Sequence, residues 1–182
     1  MKRILVSVGI LTLLFSVALQ AQTPAPKPGP EQKKMQLMAG DWTYEREYFA
    51  NPHRAAAKHV GKYSSHEILN GFFVEYQHTM KGPQGDIHWF EINGYDPVAK
   101  TNIFNWYGDS GGMRRGTFII TGNNGTWEGT SVMSGIQYRE RGSYSLSADG
   151  TSFTKKAEIS TDGKTWTPYS EMKGTRAKAP QK

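Results

Sequence analysis

Glu67 and His78 are the residues whose types and spacing come nearest to a reaction centre. A carboxylate and an imidazole can share acid and base work if both reach one substrate atom, within about 3 Å. The two flank Asn70-Gly71, and Asn-Gly between strand-like runs is the strongest short-range hairpin signal. A two-residue turn there pairs Leu69 with Phe72, Glu67 with Val74, Ser65 with Tyr76 and Tyr63 with His78. One face then collects Tyr63, Leu69, Phe72, Val74, Tyr76 and Met80. The other collects Lys62, His66, Ile68, Phe73, Glu75, Gln77 and Lys81. The first set is the more apolar and is expected to face the interior, which carries Glu67 and His78 inward. A buried carboxylate is costly without a partner. Glu67 therefore either pairs internally, with an arginine near an open end, or anchors a ligand. The pair is not directly opposed in this register, and no other feature supports a reaction.

Other catalytic chemistry is missing from the chain. There is no Gly-x-Ser-x-Gly elbow, no glycine-rich phosphate loop and no His-Glu-x-x-His. The absence of cysteine rules out a thiol nucleophile, a disulfide and a lipid anchor on cysteine. The five histidines are His53, His59, His66, His78 and His88. None has the i, i+2 spacing that places two ligands on one strand face, so no metal site is expected, and no cofactor is predicted. Asp96-Pro97 and Asp109-Ser110 carry turn chemistry.

The elements that position these residues follow from composition and punctuation. Met1-Lys2-Arg3, the apolar run Ile4 to Leu19 and the small residue Ala21 have the order of a secretory signal. A retained anchor is the rival, but the run is short of the roughly 20 apolar residues of a span and is interrupted by Ser7, Gly9, Thr12 and Ser16. Cleavage near Ala21 predicts a periplasmic or secreted protein with no stable membrane anchor. It leaves 161 of the 182 residues and lowers the formal charge from +6 to +4. That excess is scattered, with no stripe or module for nucleic acid. Residues 22–30 form a Pro-rich linker, 31–178 a single domain and 179–182 a polar tail. Glu31 to Ala39 is expected to form a short helix, with Pro30 at its start and Gly40 at its end.

From Asp41 onward the chain reads as strands between Gly, Pro, Asn and Asp punctuation. The turns at Asn123-Asn124-Gly125, Ala148-Asp149-Gly150 and Thr161-Asp162-Gly163 share their chemistry. Only Asn51 to Lys58 breaks the pattern, as a turn or short helix in a loop. About ten short strands without intervening helices predict an all-β, antiparallel fold. A sheet that long tends to close, so the first expectation is an up-and-down barrel and the second a sandwich.

The stretch Asp86 to Gly112 is the most aromatic. Strand parity separates Ile87, Trp89, Glu91, Asn93 and Tyr95 from His88, Phe90 and Ile92, and Phe104 and Trp106 from Ile103, Asn105 and Tyr107. Trp89 and Trp106 are candidates for a pocket wall or for plain core. Between Ile136 and Leu146, Tyr138, Tyr144 and Leu146 oppose Arg139 and Arg141. The arginines are expected in solvent; the opposite register would turn them toward a ligand.

Gly40-Asp41-Trp42, Asn93-Gly94-Tyr95-Asp96-Pro97 with Lys100, then Trp106, Asp109-Ser110 and Gly112 carry a resemblance. Over about Leu37 to Arg176 the chain resembles the exported bacterial family called domain of unknown function 1579, allied to the calycin superfamily of lipocalin-like barrels. The resemblance implies a closed or nearly closed barrel with an internal cavity, and no settled activity. It implies that Trp42 closes the barrel floor and that Arg176 from the last strand stacks over it. Haem-binding relatives extend the Gly-x-Trp motif with further glycines; here Thr43-Tyr44-Glu45-Arg46 follows, which speaks against haem.

These readings converge on a barrel that binds a small apolar or amphipathic molecule. Tyr63, Phe72, Tyr76, Trp89 and Trp106 would form the apolar wall, with Glu67 and His78 as polar anchors. The alternatives are an enzyme using Glu67 and His78, or a plugged barrel with a structural or interaction role.

Overall fold

The computed structural model describes residues 26–82 and 85–177. The expected signal segment, residues 22–25 of the linker and the tail 179–182 lie outside the described residues. Ten strands follow one another: β1 (Gly40–Tyr48), β2 (Ala57–Ile68), β3 (Phe73–Gly82), β4 (Gly85–Asp96), β5 (Thr101–Gly108), β6 (Met113–Thr121), β7 (Asn124–Met133), β8 (Ile136–Leu146), β9 (Ser152–Ser160) and β10 (Thr167–Arg176). Each pairs antiparallel with its sequence neighbour, and β1 also pairs with β10, so the sheet is a closed barrel. Trp42 lies opposite Arg176 and Tyr48 opposite Ser170 at the closing seam. Closure leaves no unpaired edge, which favours the barrel over the sandwich for a sheet of this length.

Alternation along each strand decides what faces inward. In β1, Trp42, Tyr44 and Tyr48 are buried while Thr43, Glu45 and Glu47 are exposed. Val74 is 0% and Trp42 1% exposed; each large apolar side chain so buried contributes roughly 1.5–3 kcal/mol. Glu45, Glu47, Lys62 and Arg141 stand exposed on the outer face, where a membrane-spanning barrel carries an apolar band. Among the described residues, no helix is long and apolar enough to cross a membrane.

The amino-terminal helix stoppers one end. It comprises α1 (Pro30–Met35) and a tighter 3-10 turn, Gln36–Met38, rather than one helix to Ala39. The Gly29 N–H donates to Gln32 Oε1 at 2.9 Å, with Pro30 as the first helical residue. Trp42 Nε1 and Ser65 Oγ both donate to the Met38 carbonyl, at 3.1 and 3.2 Å, and Tyr76 Oη donates to that of Met35 at 3.4 Å. The helix end is thus tied to β1, β2 and β3, and its open carbonyls are satisfied from the barrel.

The Asn70-Gly71 connection differs from the two-residue turn expected. Leu69–Gly71 forms a 3-10 turn in which Leu69 (φ 50°), Asn70 (φ 59°) and Gly71 (φ 83°) are all left-handed. Leu69 and Phe72 leave the ladder, so the loop has four residues. Removing that pair does not slip the register: Ile68 faces Phe73, Glu67 Val74, Ser65 Tyr76 and Tyr63 His78. At the other end of the barrel, residues 49–56 form a loop with an Asn51–Arg54 bridge and no helix. It sets the Arg54 guanidinium 3.4 Å from the centre of the Tyr48 ring.

Asp96 and Asp109 serve the backbone. Asp96 Oδ1 accepts from the Val98 and Ala99 N–H groups at 2.8 and 3.0 Å. Asp109 Oδ2 accepts from the His88 N–H at 2.7 Å. The Asp96 bonds are the turn role expected of it, whereas the Asp109 carboxylate reaches across to β4.

Candidate functional site

One rung of the barrel carries an aromatic stack. Trp42 faces Tyr63, Tyr63 faces His78, and His78 faces Trp89 across β1 to β4. Ring centres are 6.1 Å apart for Trp42–Tyr63 and 4.9 Å for both Tyr63–His78 and His78–Trp89. The His78 and Trp89 planes lie within 13° of parallel. Trp106 continues the series 5.9 Å from Trp89. At the floor, the Arg176 guanidinium sits 4.3 Å over the Trp42 ring. Its donors reach the carbonyls of Ala39 (2.5 Å), Gly150 (3.1 Å) and Leu37 (3.3 Å).

Above this stack lies a cavity of about 120 Å³. Tyr76, His78, Trp89, Phe104, Trp106 and Trp127 line it, with Met35 and Met38 from the helix side. Glycines make the wall thin enough for rings to lie across it. A Cβ at Gly142 would run into the Trp127 ring, and one at Gly61 into the Tyr44 ring. The space suits a molecule of roughly one-ring size, by comparison with a benzene-binding cavity of about 150 Å³.

Charged groups share this lining: Arg46, Arg114 and Lys155 as cations, Glu91 as an anion, with Glu140 paired directly to Arg114. The Glu140 side chain is 2% exposed. Burial pulls the Arg114 pKa down, and the charges of Glu140 and Glu91 outweigh that to hold it above its ordinary value. Arg46 donates from Nε and Nη2 to the Ser170 hydroxyl at 3.3 and 3.1 Å. Lys155 makes no ion pair or hydrogen bond among the described residues. Burial lowers its pKa, and Arg46 and Arg114 add to the lowering, against Glu91. Burial, with the charges of Lys155, Arg46 and Arg114, drives the His78 pKa well below its ordinary value, so the imidazole is neutral.

Several inward polar atoms have no partner among the described residues: His78 Nδ1, Asn93 Oδ1, Arg114 Nε, Trp127 Nε1 and Glu140 Oε1. Buried polar atoms are ordinarily hydrogen-bonded. His78, Asn93, Arg114 and Trp127 line the cavity, and Glu140 stands behind Arg114.

The residues singled out from sequence divide into three groups. Tyr76, His78, Trp89 and Trp106 line the cavity. Tyr63 is buried beneath it in the stack. Glu67 and Phe72 do not take part. Glu67 shares the inward parity of β2 but stands at the strand end, exposed, with its carboxylate beside Gly71 and Pro28. It lies four residues along β2 from the partner of His78, about 13 Å at strand rise, so the two do not meet, either as joint polar anchors or as the acid/base pair of the alternative reading. Phe72 is half-buried in the 3-10 turn, because the left-handed Leu69 and Asn70 take it out of the ladder. Arg139 and Arg141 are exposed, and Arg141 pairs with Glu158 on the outer face at 2.6 Å.

Sequence reasoning missed Arg46, Glu91, Asn93, Arg114, Glu140 and Lys155. The signal was parity. Arg46 alternates in phase with Trp42, Tyr44 and Tyr48, Lys155 with Phe153, Ala157 and Ile159, and Glu140 with Tyr138 and Leu146. A charge in phase with an apolar set marks a polar interior.

Among the described residues no cluster of three or more His, Cys, Asp or Glu is placed to hold a metal ion. Residues 27–176 match the model of a family described as "Protein of unknown function (DUF1579)". No curated protein matches the chain. The crystal structure of Rv2717c from M. tuberculosis aligns with a TM-score of 0.62 at 13% identity, covering 82% of this chain and 99% of that one. At that identity the likeness is one of fold. A protein of unknown function from the DUF3598 family of Nostoc punctiforme covers 82% of this chain and 100% of its own at 8% identity. Its TM-score of 0.24 is too low to carry an argument.

Proposed function

This chain belongs to the family of proteins of unknown function DUF1579, and we propose that it is a binding protein holding one small amphipathic molecule inside its barrel. The observation that carries this reading is the cavity of about 120 Å³ with two kinds of wall. Trp89, Phe104 and Trp106 offer apolar surface. His78, Asn93, Arg114 and Trp127 add polar atoms that have no hydrogen-bond partner among the described residues. A plugged barrel would leave neither the space nor the unpaired atoms. Tyr76, His78, Trp89 and Trp106 are the wall residues in this proposal, and Tyr63 supports them from below.

We read the barrel as lipocalin-like, on the Arg176–Trp42 stack at its floor. We place the protein outside the cytoplasm, on the basic, apolar and small-residue order of its first 21 residues. Amino-terminal sequencing of the protein from its own host should begin near Gln22. Nucleic acid is not a partner in this proposal, because the positive charge is scattered.

Native mass spectrometry of protein purified from its own host tests the binding role. A bound mass that is lost on denaturation is the expected result, together with tryptophan quenching on addition of small amphipathic molecules. A clean unliganded mass with no quenching by any of them would remove the proposal.

A further inference from the structure

The charges inside the barrel do not balance, and the imbalance has a position. Arg114 is matched by Glu140. That leaves Arg46 and Lys155 against Glu91, a net charge of +1 among the cavity-lining groups that remain. The other two lysines at the cavity are already matched outside it: Lys34 with Glu31 at 2.7 Å and Lys156 with Glu171 at 3.1 Å. The neighbouring tyrosines, Tyr44, Tyr63, Tyr76 and Tyr144, are held neutral by burial.

Arg46 and Lys155 stand on one rung. Arg46 faces Met172 across the closing seam, and Met172 faces Lys155. Two strand spacings separate their backbones, about 10 Å, and both side chains reach the same cavity. Lys155 Nζ lies 5.6 Å from the centre of the Phe153 ring and has no carboxylate partner among the described residues. Among the described residues, Arg46 has only the Ser170 hydroxyl and the Tyr48 ring face, 4.5 Å from its centre. Two like charges in one cavity repel, Glu91 offsets only one of them, and each is partly stripped of water. An anionic group between them removes both costs.

We infer that the ligand is a monoanion, a carboxylate on an apolar body of about one ring, with its acidic group between Lys155 and Arg46 and its body against Trp89, Phe104 and Trp106. This rests on the binding role proposed above. One negative charge makes the cavity neutral. A dianion would overshoot toward Glu91, and a cation would add to the existing excess. The cavity volume limits the body to roughly the size of a single ring.

Calorimetric titration with three compounds of one shape tests this: phenylacetate, its neutral amide and phenethylamine. Phenylacetate should bind at least tenfold more tightly than the amide, and the amine should bind worst. In Lys155→Met that preference should fall at least tenfold while affinity for the amide changes less than threefold. Arg46→Met should do the same more weakly, since Ser170 already holds that guanidinium. Lys155→Gln is the second variant, should the methionine disturb folding, and circular dichroism checks both. Equal binding of amide and carboxylate, or an undiminished preference in the folded Lys155 variants, overturns the monoanion and leaves the binding role standing. If none of the three binds, the monoanion assignment falls. The binding role falls with it only when native mass spectrometry also finds the protein unliganded.

Discussion

Replacing Glu140 with glutamine removes one charge from the tightest ion pair in the barrel without changing its shape. Glu140 is the less exposed partner, at 2% against 16% for Arg114, so water cannot replace it. Losing one partner of a buried pair costs about 3–5 kcal/mol, because the survivor is left charged and dry. Glu91 adds to the field at Arg114 and offsets part of that loss, which places the expected cost near the lower end, about 3 kcal/mol. For a domain of this size each kcal/mol lowers the melting temperature by roughly 2–4 °C, so Glu140→Gln should lower it by about 6–12 °C. The double variant Arg114→Met/Glu140→Leu removes both charges and should fall within about 1 kcal/mol of the parent, or exceed it. Urea unfolding followed by tryptophan fluorescence, with far-ultraviolet circular dichroism as a second probe, measures all three. A cost below about 1 kcal/mol for the single variant would refute the reasoning. So would a double variant less stable than Glu140→Gln.

The Arg176→Met variant should lose about 2 kcal/mol, from the stack on Trp42 and three charged hydrogen bonds to carbonyls in an exposed setting; amide exchange in Gln36–Met38 should rise, and unchanged protection there would contradict the floor role. Gly142→Ala should cost about 1–3 kcal/mol by overpacking, since the new methyl meets the Trp127 ring and the Lys156 carbonyl; a melting curve identical to the parent would show that the ring is free to move. His78 makes stability depend on pH: its folded pKa lies below the unfolded value of about 6.5, so its contribution is complete above that pH and is lost as pH falls toward the folded pKa. His78→Phe keeps the stacking and should flatten the fall in melting temperature between about pH 6.5 and 5; an unchanged slope would assign it to other groups. Asp149, held to about 2 by Ser147 Oγ, the Thr151 N–H and the Thr151 hydroxyl, stabilises above its unfolded pKa of about 3.9; its contribution should fade toward pH 2, and Asp149→Asn should remove that part of an acid titration.

The barrel was legible because its signals are local. Turn residues cut the chain at nearly the right places, and Met113–Thr121 and Ser152–Ser160 fall where punctuation and β-prone composition put them. The Asn70-Gly71 reading reached the right register through the wrong turn. A four-residue loop with Leu69 and Asn70 at positive φ preserves the pairing of Glu67 with Val74. Leu69 is an uncommon residue for a left-handed position, so the tighter turn was the better expectation from residue type alone. The helix was read four residues too long as regular α, to Ala39 rather than Met35, because the chain tightens into a 3-10 turn whose Met38 carbonyl is claimed by Trp42 and Ser65, partners that no local pattern contains.

The interior chemistry was less legible, for a reason that bears on how such barrels are read. Parity says which face a residue occupies and nothing about depth. Glu67 and His78 share a face, yet one stands at a strand end in solvent and the other is buried between Tyr63 and Trp89. Depth is set by where the strand crosses the barrel, which depends on the register of all ten strands at once. The opposite error hid Arg46, Arg114 and Lys155. Charged residues are expected outside, and only the company they keep along the strand contradicts that. Each is in phase with aromatic or aliphatic neighbours, and each is on a different strand, so no single segment shows a cluster. The cluster exists only after closure, when β1, β10 and β9 come side by side and set Arg46 and Lys155 on either side of Met172. A barrel whose inward positions carry unmatched charge gives up stability to keep it there. That cost is the strongest physical reason to place the function inside the barrel rather than on the Gly94-Tyr95-Asp96-Pro97 turn, whose aspartate is fully engaged with its own backbone.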